Sequence, residues 1–131
     1  QKIIDYFINK KEGNLILFSS IQGTSAPKFS HYKNTDMTSP IEYSAAKAGI
    51  INMTKYIAKF CGKKKIRVNC ISPGGVLDKL PKKFIKRYKE SCLSKGLLDS
   101  HDLNGIVEFL VSEKSNFING QNIIIDDGWS L

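Results

Sequence analysis

Ile3, Ile4, Phe7 and Ile8 recur at helical spacing, so residues 2–10 are predicted to form a helix, and the polar KKEG ending at Gly13 predicts its stop. NLILFSS, residues 14–20, is apolar without polar alternation, the pattern of a parallel strand covered on both faces. Residues 22–38 are rich in Ser, Thr, Lys and Asn and predict a long loop, which in a compact domain is either functional or unstructured. TSPIEYSAAK then predicts a helix start, with Ser39 as N-cap, Pro40 at the first helical position and Glu42 completing a capping box; the helix should run to about Phe60. KIRVNCIS, residues 65–72, predicts a second buried strand, broken by the Pro-Gly-Gly at 73–75. LPKKFIKRYKESCLSKG predicts a helix from near Pro81 to near Gly96, and SHDLNGIVEFLVSE another, capped by Ser100. QNIIIDDG predicts a third buried strand closed by a turn.

The order helix, strand, helix, strand, helices, strand predicts an α/β fold of parallel strands joined by helical crossovers. No internal repeat, low-complexity tract or linker divides the chain, so residues 1–131 read as one domain or part of one. In an open parallel sheet, ligands bind beyond the carboxyl ends of the strands. That rule singles out SSIQG after the first strand and SPGGVLD after the second.

Composition narrows the classes. The chain has 131 residues, 41% hydrophobic and 24% charged, ordinary values for a globular chain. Its apolar runs are too short to cross a bilayer, so no membrane role is expected. It opens on QKIIDYF, without Met or a charged-then-apolar leader, as though inside a helix; a fragment is expected. The formal charge of +8 comes almost wholly from lysine, Arg67 and Arg87 being the exceptions. Nucleic-acid readers lean on arginine forks, so no nucleic-acid partner is expected. FIKRYKE reads as an amphipathic lid helix with a solvated lysine side, and the wider lysine surplus as solvated surface that can attract a phosphate-bearing small molecule. Cys61, Cys70 and Cys92 lack C-x-x-C spacing, as expected of inert thiols in a reducing cytoplasm. His31 and His101 have no ligand-like neighbours, and no metal site is expected.

Candidate chemistry centres on Tyr43 and Lys47. A free tyrosine, with a pKa of about 10, is a poor acid or base at neutral pH. A nearby ammonium favours the phenolate, and residues i and i+4 of a helix share a face. The ammonium also offers three donors for ribose hydroxyls. Ser20, at a strand tip, can hydrogen-bond a reacting carbonyl or alcohol oxygen. The spacing alone says little, because Tyr6 and Lys10 repeat it. That pair precedes the first strand, at its amino end, whereas Tyr43 and Lys47 follow a strand ending SSIQG and lead into VNCISPGG.

This set of segments resembles the short-chain dehydrogenase/reductase family. NLILFSSIQG resembles its fifth strand with the serine motif, YSAAKAG its active-site helix, IRVNCISPGG its sixth strand and Pro-Gly turn, and INGQNIIIDDG its closing strand. The resemblance implies the carboxyl-terminal half of a Rossmann-like parallel sheet, three parallel strands with flanking helices. It implies Ser20, Tyr43 and Lys47 as catalytic residues. It also sets Tyr43, Lys47, Pro73, Gly74 and Val76 against the nicotinamide half of NAD or NADP, in an enzyme moving hydride at an alcohol or ketone carbon. The elements covering 40–60 and the final strand commonly make homo-oligomer interfaces in this family, and a non-catalytic oligomerisation scaffold is the alternative reading.

Three departures stand out. The glycine-rich phosphate loop, the NAD/NADP selector and the upstream catalytic asparagine should precede Gln1, so residues 1–131 alone are expected to be inactive. Ser20 and Tyr43 stand 23 positions apart, more than the family's usual gap, with PKFSHYKNTDMTSP making up the excess; it reads as a substrate-shaping insertion or a floppy surface loop. Asp78 stands where many members have a threonine that meets the cofactor, and a carboxylate there is unfavourable beside a pyrophosphate. The extended loop with the flanking motifs resembles bacterial oxidoreductases of flagellin-modification and nonulosonic-acid pathways. That implies a sugar phosphate or nucleotide sugar as substrate.

Overall fold

The computed structural model describes residues 1–131. Helix α1 (Lys2–Lys10) leads into strand β1 (Glu12–Phe18), and α2 (Ile41–Phe60) leads into β2 (Lys65–Pro73). Helices α3 (Lys82–Glu90) and α4 (Asn104–Val111) then precede β3 (Asn122–Ile125). The sheet order is β1-β2-β3, with both pairings parallel. Leu15 faces Val68 and Phe18 faces Ile71 across the first pairing; Cys70 faces Asn122 across the second.

β2 is the central strand, and its burial follows from that. Ile66, Val68, Asn69, Cys70, Ile71 and Ser72 are all buried. Ile66 and Val68 join Ile4 and Cys61 in one core under α1 and the end of α2. A second core of Ile21, Phe84, Tyr88, Leu97 and Trp129 lies beyond the carboxyl ends of the strands and joins α3 to the last turn. The outer strands depart from the expected two-sided cover. β1 is half-buried along Gly13–Leu17, and β3 has no buried residue, Ile124 being 40% exposed. Each pairs on one edge only, so its apolar side chains keep an uncovered flank.

Local expectations need four corrections. α1 stops at Lys11, which takes the left-handed conformation (φ 61°), and Gly13 already belongs to β1. The cap of α2 is Pro40 and has no side-chain hydrogen bond. Ser39 Oγ donates instead to Gln22 Oε1 at 2.5 Å, so a tertiary partner takes the hydroxyl that a capping box would use. α3 ends at Glu90 rather than near Gly96. Ser100 is not a cap: Asp99 and Asp102 make the capping box of a 3-10 turn at Ser100–Leu103, and α4 follows it.

The closing turn shows a further local solution. Asp127 has a left-handed backbone (φ 54°), unusual for a residue with a side chain. Its carboxylate accepts from the Gly96 amide (2.7 Å) and from the Ser94 hydroxyl and amide, and these donors hold it below the usual carboxylate range. The same bonds tie the end of the chain to the segment after α3.

Candidate active site

β1 is parallel to β2, so both release the chain at the same edge of the sheet. Carrying the register of Phe18 and Ile71 two residues on sets Ser20 level with Pro73. The Ser19 amide donates to the Ile71 carbonyl (2.8 Å), which extends the pairing past the end of β1. Ser20 is extended and buried, and the chain then folds into a 3-10 turn at Ile21–Gly23. Ser20 Oγ accepts from the Gln22 amide at 3.2 Å, which orients the oxygen and leaves its proton to be donated.

α2 supplies the other two side chains. Tyr43 lies in its first turn, 42% exposed, and Lys47 follows one turn later. The Lys47 ammonium is 5.4 Å from the Tyr43 ring centroid. The same Nζ donates to the Phe18 carbonyl at 3.4 Å. Lys47 therefore spans the gap between the Tyr43 ring and the tip of β1. Ser44, beside Tyr43, and Ser39 both donate to Gln22 Oε1, so the turn after Ser20 is bonded to the entrance of α2.

Tyr6 and Lys10 repeat the intrahelical geometry, with Nζ 5.3 Å from the ring centroid. The pair projects from α1, which feeds the amino end of β1. Spacing thus yields the same contact twice, and only the Tyr43–Lys47 copy meets a strand tip.

The arm after β2 is tightly held. The Gly74 amide donates to the Ile125 carbonyl (2.8 Å), and the Gly75 amide donates to Tyr88 Oη (2.6 Å). A Cβ on Gly75 would lie 2.5 Å from Leu97 Cδ2, so that side chain would have to shift to admit one. Val76 pairs with Leu98 in an isolated parallel bridge and is itself 38% exposed. Pro73, the last residue of β2, and Gly74 and Val76 just beyond it thus lie on a fixed ledge. Asp78, two residues further, is exposed. A cavity of about 490 Å³ opens between α2 and the loop after β1, lined by Gln22, Pro27, Phe29, Ile41, Ala45 and Ala48. Its lining on α2 is a different face from Tyr43 and Lys47, so this apolar hollow is separate from the candidate chemistry.

The long loop is packed rather than floppy. Phe29–Tyr32 form a 3-10 turn, and His31 is buried in a box of Phe84, Tyr88 and Trp129, with ring centroids 5.6–6.2 Å away. Its Nε2 is 2.9 Å from Ser91 Oγ. Lys28 donates to the Trp129 carbonyl (2.9 Å) with its ammonium 4.6 Å from the Trp129 ring centroid, and Arg87 of α3 donates to the Lys33 carbonyl. The loop is therefore strapped to α3 and to the chain's end. Burial, then the cations Lys28 and Arg87, push the His31 pKa down. A base whose folded-state pKa is lowered binds fewer protons when folded, so its contribution is intact above about 6.5 and is lost as pH falls below that value. The melting temperature should accordingly drop between pH 7.5 and 5.5, and less steeply in His31→Gln. Identical pH dependence in both proteins would show that the His31 pKa is not lowered in the folded state.

Two residues of the site escaped the sequence reading. Ser19 Oγ donates to the Lys47 carbonyl at 2.7 Å. Gly23 packs on the same peptide: a Cβ there would stand 2.8 Å from the Lys47 carbonyl carbon. The doubled serine and the glycine of SSIQG were the only signals.

The family model described as enoyl-(acyl carrier protein) reductase matches residues 3–130. The chain belongs to the short-chain dehydrogenase/reductase family. It is 44% identical over 131 residues to the post-translational flagellin modification protein A of Campylobacter coli, covering 100% of this chain and 51% of that protein. It is 33% identical to a 7α-hydroxysteroid dehydrogenase of Bacteroides fragilis, covering 100% and 49%. The crystal structure of a short-chain dehydrogenase from Leptospira borgpetersenii with bound NAD+ superposes with a TM-score of 0.91 at 36% identity, covering 98% of this chain and 49% of that one. The chain thus spans about half the length of the curated relatives it matches. Its three parallel strands with flanking helices are the family's Rossmann-like sheet, as the sequence implied. No helix is long and apolar enough to cross a membrane.

Proposed function

We propose that residues 1–131 are the catalytic half of an NAD(P)-dependent oxidoreductase that transfers hydride at an alcohol or ketone carbon. The observation that carries this reading is Lys47, whose ammonium lies over the Tyr43 ring while its backbone is bonded to the residue next to Ser20. Tyr43 gives a proton to the substrate oxygen on reduction and takes it back on oxidation. Lys47 keeps its ammonium against that ring and holds the nicotinamide ribose. Ser20, its lone pair engaged by Gln22, donates its proton to the substrate oxygen and aims the reacting carbon. Pro73, Gly74 and Val76 form the wall against the nicotinamide. Bound NAD or NADP supplies or accepts the hydride.

The residues present fit the nicotinamide half of such a cofactor: an ammonium, a phenol and a fixed Pro-Gly ledge meet at one edge of the sheet. They offer no glycine-rich phosphate turn for the other half. We therefore read the chain as a single partial domain, with the dinucleotide-binding half supplied outside it. The singly paired β1 is where that half of the sheet would continue.

The likeness to a flagellin modification protein supports a substrate from bacterial surface or flagellin glycan synthesis, a sugar phosphate or nucleotide sugar. The +8 charge suits an anionic substrate. Exposed Met53, Tyr56 and Phe60 on α2 support a homo-oligomer built through that helix. A cytoplasmic location fits the free thiols of Cys61, Cys70 and Cys92. Calorimetric titration with NADH and NADPH tests the reading. The full-length protein should bind one of them saturably, and residues 1–131 alone should bind neither and show no turnover. A full-length protein that bound neither would end the oxidoreductase reading.

A further inference from the structure

Successive side chains of an extended backbone leave on opposite sides. Ser19 and Ser20 continue the extended course of β1, Ser20 at φ −162° and ψ 157°. When one serine faces α2, the other turns away from that contact. Ser19 is the one on the helix, donating its Oγ proton to the Lys47 carbonyl at 2.7 Å. It is 6% exposed, so water does not compete for the bond. The same stretch of chain touches Lys47 twice more, through the Phe18 carbonyl on its ammonium and through Gly23 against its peptide. Three contacts from residues 18–23 thus converge on one residue of a twenty-residue helix.

We propose that Ser19 is a positioning residue for Lys47. Its hydroxyl fixes the peptide from which the lysine side chain springs, and so fixes where the ammonium stands. The inference rests on the role proposed above for Lys47 at the nicotinamide ribose. In an α-helix a carbonyl at this position already accepts from the amide four residues on. The helix therefore does not need the serine in order to form. The second bond sets location. The adjacent serines divide the work: Ser20 addresses the substrate oxygen, and Ser19 addresses the lysine through its backbone.

The test measures dissociation constants for NADH and NADPH in the full-length protein, using whichever binds more tightly. Ser19→Ala, Ser19→Thr, Lys47→Ala and the Ser19→Ala/Lys47→Ala double variant are compared with wild type, with melting temperatures alongside. Ser19→Ala should weaken binding on the order of fivefold, the worth of one neutral hydrogen bond. Ser19→Thr keeps a hydroxyl and should restore wild-type affinity. In the Lys47→Ala background, Ser19→Ala should have no further effect, because its influence passes through the lysine. Ser19→Cys, close in shape and a weak donor, gives the same readout if the alanine variant does not fold. Wild-type affinity in Ser19→Ala, or an equal loss with and without Lys47, would overturn the proposal. Wild-type affinity in Lys47→Ala would instead overturn the lysine's own role.

Discussion

Tyr43→Phe in the full-length protein is expected to lower turnover about 10²–10⁴-fold, the usual worth of a positioned acid/base group, while leaving the fold intact. The substitution removes one oxygen. The Tyr43 ring is partly exposed and keeps its face to the Lys47 ammonium, so packing is preserved. The Tyr43 side chain is exposed, so the loss of its hydroxyl leaves no buried group stranded. Stability and activity should therefore separate: an unchanged melting curve beside a collapsed rate of NADH or NADPH oxidation, with an activated diketone as surrogate substrate. Tyr6→Phe is the matched control. It alters the same contact on α1, far from a strand tip, and should leave the rate unchanged. Wild-type rates in Tyr43→Phe would remove the phenol from the mechanism.

Gly23→Ala is expected to have the largest structural effect near the site. The added methyl would stand 2.8 Å from the Lys47 carbonyl carbon, 2.9 Å from its oxygen and 2.9 Å from Ile51 Cδ1. Two of these atoms are backbone and cannot swing aside, so the turn or the helix must move. Overpacking of this kind costs about 1–3 kcal/mol. The movement separates the Ser20 turn from Lys47, so cofactor affinity should fall with stability. Gly49, also on α2, faces open space: a methyl added there would meet nothing within 4 Å. For residues 1–131 as a monomer, Gly49→Ala should instead stabilise by about 0.5–1 kcal/mol, because glycine is a poor helix former. Gly49 shares the face of Met53, Tyr56 and Phe60, so in an oligomer built there the methyl would meet the partner. Denaturant unfolding of both variants checks the contrast, and wild-type stability in Gly23→Ala would show that the contact is not tight.

The α/β class, the order of elements and the edge of the sheet at which the candidate residues gather were all legible in the sequence. Periodicity separated the helices from the strands, and parallel strands put SSIQG and SPGGVLD at one end. The Tyr-x-x-x-Lys spacing was legible but ambiguous, since Tyr6 and Lys10 make the same contact. What stayed hidden depends on partners distant in the chain. Ser39 reads as a helix cap, yet its hydroxyl is taken by Gln22, 17 residues away. The 22–38 loop reads as polar, yet His31 is buried against α3 and Trp129. β1 and β3 read as buried strands, but their apolar runs say nothing of which neighbours are present to cover them. Ser19 carries no periodic signal, and only the fold reveals which of two adjacent serines touches the lysine.

The most direct measurement is a crystal structure of the full-length protein with NAD+ or NADP+ bound. The account predicts the nicotinamide ribose hydroxyls within about 3.2 Å of Lys47 Nζ, with the nicotinamide against Pro73 and Gly74 and its reactive face open toward Tyr43 and Ser20. A cofactor seated away from Lys47, or a Lys47 ammonium turned from the ribose, would contradict it.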